Sequence, residues 1–105
     1  MAATSRFADT EWLARTEDVA VRVNTLAPGQ QTPWHFHGIV TDDVFALDEG
    51  IEVELRDPAA TVTLRPGGRQ RIEPRRVHRV ANRSGQPARY LLIQATGRYD
   101  FNEVP

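Results

Sequence analysis

The sequence predicts an all-β domain, a sandwich or barrel of short strands. Apolar residues recur with period two in several short runs. Turn-forming residues punctuate those runs roughly every 8 to 20 residues, and only one short stretch has the composition of a helical turn. Strands place successive side chains on opposite faces, so a period of two marks a segment with one face buried.

Taken in order, residues 8–15 (Ala-Asp-Thr-Glu-Trp-Leu-Ala-Arg) are the one candidate for a helical turn. Val19, Val21 and Val23 then alternate with Ala20, Arg22 and Asn24. Ile51, Val53 and Leu55 alternate with Glu52, Glu54 and Arg56, which reads as a half-buried strand. Val62 and Leu64 alternate with Thr61 and Thr63, and Tyr90-Leu91-Leu92-Ile93 is a nearly continuous apolar run suited to a well-buried strand. Between them stand Pro28-Gly29, Glu49-Gly50, Asp57-Pro58, Pro66-Gly67-Gly68 and Ser84-Gly85-Gln86-Pro87, all turn signals. Many short strands joined by such turns suggest a sandwich or barrel. Residues 1–105 form one domain on this reading, with 1–17 as an N-terminal arm and 97–105 as an irregular tail.

A chain of 105 residues buries only somewhat more than about 60% of its unfolded surface. Pairing with a second copy would extend so modest a core, so a homodimer is the expectation. Charged residues are 26% and hydrophobic residues 40%, a globular rather than a disordered balance. The net charge of -1 argues against a nucleic-acid-binding domain. All 13 basic residues are arginine, and Arg65, Arg69, Arg71, Arg75, Arg76, Arg79, Arg83 and Arg89 crowd one segment. That cluster reads as solvated strand faces, with attraction of an anionic ligand as the sharper alternative. The lack of cysteine excludes disulfides, thiolate catalysis and zinc–thiolate sites. No apolar run approaches the roughly 18 residues of a membrane helix, and the N-terminus has no signal pattern. A cytoplasmic protein without membrane contact is the default.

The chemistry points to the three histidines. His35 and His37, two apart on a strand, share one side, so their imidazoles converge. His78 lies on another predicted strand. Imidazole is the commonest side-chain ligand of transition metals.

The spacing around these residues carries a family resemblance. Gly29, five residues, His35-Phe36-His37, an acid and Gly50 resemble the first cupin motif. Asp42 has the motif's spacing from His37, whereas Asp43 has its spacing to Gly50, and either stands where the family has Glu. Gly67, His78 and Asn82 fall on the second cupin motif. Glu73 and Arg75 occupy its usual proline and glycine, with Pro74 displaced by one place. The resemblance implies a cupin double-stranded β-helix, a jelly-roll barrel of roughly six to eight strands. It also implies one divalent transition metal (Fe, Mn, Ni, Zn, Co or Cu) on His35, His37 and His78, with Asp42, Asp43 or neither acid as a further ligand.

Other residues are placed by parity. Trp34 and Phe36 should point away from the histidines. Phe45 and Leu47 share parity with Asp43 and are expected to line the cavity above the metal. Gln94, in the apolar last strand, needs a polar partner and is a candidate for substrate contact. Glu73, Arg75 and Arg76 read as an exposed turn, while Tyr90, Tyr99 and Asp100 have no assigned role. A metal site with open positions suits an enzyme acting on a small molecule, with dioxygenase-type chemistry ahead of an isomerase or lyase. The alternative is a barrel that binds or senses a small ligand without catalysis.

Overall fold

The computed structural model describes residues 7–105. Residues 1–6 of the expected N-terminal arm lie outside the described residues. The described chain is all β. In order, the strands are β1 (Asp9–Arg15), β2 (Val19–Leu26), β3 (His35–Phe36), β4 (Thr41–Ala46), β5 (Ile51–Leu55), β6 (Ala60–Thr63), β7 (Arg69–Ile72), β8 (His78–Asn82), β9 (Ala88–Ala95) and β10 (Asn102–Glu103). They form two five-stranded sheets with orders β1-β2-β9-β4-β7 and β10-β3-β8-β5-β6. Every named pairing is antiparallel. No helix among the described residues is long and apolar enough to cross a membrane.

Residues 8–15 differ from their expected helical turn. They supply β1, which pairs along β2 with a register shift between Trp12 and Ala14. A helix this short is marginal in water, whereas the open edge of β2 offers a row of unpaired backbone groups. The tail also differs from expectation, because β10 pairs with β3 (Asn102 opposite Phe36). The ten strands among the described residues therefore exceed the expected six to eight, and β3 and β10 are only two residues each.

Alternation positions the core between the sheets. Val44 and Ala46 of β4, Ile51 and Val53 of β5, and Tyr90 and Leu92 of β9 all turn inward and are buried. Burial of a side chain such as Ile51, fully enclosed, is worth about 1.5–3 kcal/mol. On β2 the inward face is Ala20, Asn24 and Leu26, with the valines left half-buried on the other face. The buried Asn24 is satisfied, donating to the Tyr90 hydroxyl at 3.2 Å and accepting from Thr10 at 3.0 Å.

Two motif positions shape the loops. Gly50 has φ 102°, and a Cβ there would meet Asn82 Oδ1 at 2.7 Å. Asn82, fully buried, donates to the carbonyls of Leu26, Ala27 and Gln86 and accepts from Ser84. The turn before β8 reaches its geometry without glycine, since Arg75 itself takes φ 70° and donates its N–H to the His37 carbonyl at 2.7 Å. Pro74 precedes it, the usual arrangement of a turn that needs positive φ at its third residue.

The arginine cluster is largely neutralised. Arg69 and Arg71 pair with Asp43, Arg79 with Glu54, Arg83 with Glu52 and Glu54, and Arg89 with Asp48. Arg76 donates to the carbonyls of Arg56 and Pro58.

Candidate metal centre

Both sheets contribute to one buried polar cluster. His35 of β3 lies directly opposite His78 of β8. His37 follows β3 immediately, on the same face as His35. Across the barrel, Asp42 of β4 pairs in register with Gln94 of β9. All five side chains are buried, each at 5% exposure or less. One ligand atom from each histidine lies within 4.8 Å of the others.

Each imidazole is fixed by a backbone carbonyl. Nδ1 of His35 bonds to Pro33 O at 2.7 Å, that of His37 to Asp100 O at 2.6 Å, and that of His78 to Arg76 O at 2.8 Å. A carbonyl oxygen only accepts, so each Nδ1 carries the proton and each Nε2 presents a lone pair. Carbonyl partners of this kind orient imidazole ligands in metal sites. Asp42 Oδ2 lies 3.2 Å from Nε2 of both His37 and His78. The other oxygen, Oδ1, accepts from Gln94 Nε2 at 3.1 Å. Gln94 in turn accepts from Arg22 Nη2 at 3.1 Å.

Three imidazole lone pairs and a carboxylate thus face one buried point. Such a set repels itself unless a cation stands between the donors, either a proton or a metal. The donors therefore fit a divalent transition metal. Electrostatics without an ion describe the same competition. Burial, helped by the neighbouring His78, pushes the His35 pKa down to about 3. Burial alone would lower that of His37, but the Asp42 carboxylate and the Asp100 carbonyl outweigh it and raise the pKa. Asp42 is held well below the ordinary carboxylate range, because the bonds from His37 and His78 exceed the opposing effect of burial.

The sequence-predicted residues separate by parity. Asp43 turns to the opposite face of β4 and binds Arg69 and Arg71 at 2.9 and 3.2 Å, so it is no part of the cluster. Phe45 shares that outer face beneath Arg69 and does not line the cavity as expected. Leu47 is exposed too. Both expectations followed the parity of Asp43, whereas the inward set is Asp42, Val44 and Ala46. Gln94 is inside, as its need for a polar partner implied. Trp34 points away from the histidines and lies between Arg56 and Arg79, with the guanidinium carbons 4.1 and 4.3 Å from its ring.

Sequence reasoning missed the C-terminal contribution. Phe101 stacks on His35 with centroids 4.3 Å apart, Tyr99 lies 5.3 Å from His37, and Asp100 Oδ1 accepts from Gly38 N at 2.7 Å. With Phe7, Arg22 and Leu92 these residues enclose a cavity beside the histidines of about 20 Å³, room for about one water-sized body.

No protein-family model matches the chain, and no curated protein matches it. Solved structures do. A conserved protein with a double-stranded β-helix domain from Klebsiella pneumoniae superposes with a TM-score of 0.75 at 21% identity, covering 89% of this chain and 75% of that one. An oxalate oxidase in complex with the substrate analogue glycolate gives a TM-score of 0.82 at 17% identity, and this chain, covered completely, spans 59% of it. The polyketide cyclase RemF from Streptomyces resistomycificus gives 0.74 at 20% identity, covering 91% of this chain and 70% of that one. The chain therefore has the cupin double-stranded β-helix fold that the motifs led one to expect.

Proposed function

We propose that this chain is a metal-dependent cupin acting on a small molecule, its divalent ion held by His35, His37, His78 and Asp42. The observation that carries this reading is the buried convergence of three imidazoles and one carboxylate on a common point. Bound there, the ion would act as a Lewis acid with positions left open for substrate. The chain's own residues do the rest. The carbonyls of Pro33, Asp100 and Arg76 aim the imidazoles, and Gln94 holds Asp42 Oδ1 so that Oδ2 faces the histidines. Tyr99 and Phe101 wall the site from bulk water. Mixed imidazole and carboxylate ligands suit iron, which favours dioxygenase-type chemistry within this reading. The neighbours supply precedent for small-molecule chemistry on this fold, one being an oxalate oxidase and another a polyketide cyclase.

Elemental mass spectrometry of untagged protein tests the reading. About one transition-metal ion per chain is expected, lost in His35→Ala or His78→Ala with the β-sheet circular dichroism retained. Wild-type protein that stays empty after titration with each candidate metal would overturn it, leaving the barrel as a module that binds a small ligand without catalysis.

A further inference from the structure

We propose that Arg22 is the anchor for a carboxylate group of the substrate, which makes small organic carboxylates the ligand class of this pocket. The inference rests on the metal-centre reading for what stands beside the anchor. It arises from a separate observation, the state of the Arg22 side chain.

Arg22 projects from the inward face of β2 into the cavity that the histidines line. A guanidinium carries five N–H donors and a fixed charge, and enclosing it is costly unless it is paired. Arg22 Nη2 donates to Gln94, a neutral amide. Nε is buried and has no hydrogen-bond partner. Among the described residues no carboxylate forms an ion pair with Arg22, in contrast to Arg69, Arg71, Arg79, Arg83 and Arg89. The group is nonetheless held in place, its central carbon 4.8 Å from the Trp12 ring and 5.6 Å from the Tyr99 ring. An ordered, half-buried cation with an unspent buried donor is poised for an oxyanion.

Charge in the cavity points the same way. Among its lining residues only Asp42 and Arg22 carry a formal charge apart from the histidines. A divalent ion against that single carboxylate, with Arg22 nearby, leaves an excess of positive charge that an anionic ligand completes.

Space sets the size of that ligand. The inner cavity, about 20 Å³, has room for about one water-sized body, so only a carboxylate oxygen of the ligand reaches in beside Arg22. Gln94 and Tyr99 also line an outer cleft of about 200 Å³, bordered by Trp12, Arg15, Glu17 and Arg98. A carboxylate head against Arg22 and a short organic tail in the cleft match this division. Arg15 and Arg98 at the cleft outnumber Glu17 and favour approach of an anion.

The test titrates full-length, metal-loaded protein with acetate, lactate and malonate, each beside its neutral amide. Calorimetry reads affinity and tryptophan fluorescence reports on Trp12. Carboxylates are expected to bind roughly tenfold or more tighter than amides. Arg22→Met should reduce them to the level of the amides, and Arg22→Lys should keep part of the preference, with metal content equal in all three proteins. Equal binding of carboxylates and amides by wild type would overturn the proposal. So would Arg22→Met with unchanged carboxylate affinity, the result expected if the ion alone captures them. Wild type that holds no metal yet binds carboxylates through Arg22 would uphold the anchor and defeat the metal reading, so the two fail separately.

Discussion

Replacing Asp42 and Asp43 in turn separates the two acids that the sequence left open. Asp42→Asn preserves size, and its Oδ1 can still accept from Gln94 Nε2, a bond of 3.1 Å in the wild type. What it removes is the negative charge 3.2 Å from two imidazoles. Losing even an outer partner of a metal ligand costs 10–100-fold in affinity, and a direct ligand belongs at the upper end. A 100-fold loss is about 2.7 kcal/mol. At saturating metal the stabilisation of the folded chain falls by that same amount. Unfolding entropy for 105 residues is roughly 0.22 kcal/mol per kelvin, so the metal-induced rise in Tm should shrink by about 12 °C. Scanning calorimetry with and without excess metal measures it. Asp43→Asn breaks exposed pairs with Arg69 and Arg71, worth at most about 1 kcal/mol, and should leave the metal increment intact. A full metal increment in Asp42→Asn, or a lost one in Asp43→Asn, would refute the assignment.

Other expectations follow from the same geometry. Because Asp42 raises the His37 pKa above 6.5, the metal-free site holds a proton that the ion must displace. Metal affinity should therefore rise with pH through the His37 titration and then level off; calorimetry in buffers of different ionisation enthalpy should show proton release at pH near 6.5 that fades as the pH is raised through that titration, and none at the lower pH would defeat this account. Asn82→Ala strips five hydrogen bonds from a fully buried knot and should cost about 3 kcal/mol, read as a lower urea midpoint at unchanged slope; a loss under about 1 kcal/mol would remove its structural role. Burial opposes the charge on Glu54, but Arg83 and Arg79 lower its pKa from 4.5 to about 2. A folded pKa below the unfolded one gives stability that is present above pH 4.5 and lost as pH falls towards 2, so Glu54→Gln should flatten that acid limb of the stability profile.

Much of the barrel was legible because period two is a local property. Ile51, Val53 and Leu55 advertise a buried face whatever they pack against, and they are inward in β5. Motif spacing likewise placed His35, His37 and His78 together, since strand parity and glycine turns are short-range constraints. Arg75 is instructive in the other direction. It stands where the motif has a glycine, and the backbone nonetheless adopts φ 70° there, supported by the bond to His37 O.

By itself the sequence determined the fold class and the three histidines, and it narrowed the acid to two neighbouring residues. Only the tertiary structure decided between Asp42 and Asp43, because one inserted residue before Gly50 leaves the motif spacing satisfied by either, and pairing with β9 sets which parity faces inward. The same uncertainty carried Phe45 to the wrong side. The roles of Asp100 and Phe101 were equally hidden, for they depend on a tail with little pattern crossing more than sixty residues of chain to reach His35 and His37. In the sequence Arg22 is one polar residue among valines, and the crowded arginines further along are the conspicuous basic feature. Packing reversed their standing: five of those eight arginines found carboxylates, while Arg22, on a strand whose polar face turns inward, was left with a buried donor beside the histidines. A strand's period reveals that it has two faces, but only contact with the opposite sheet determines which face is enclosed.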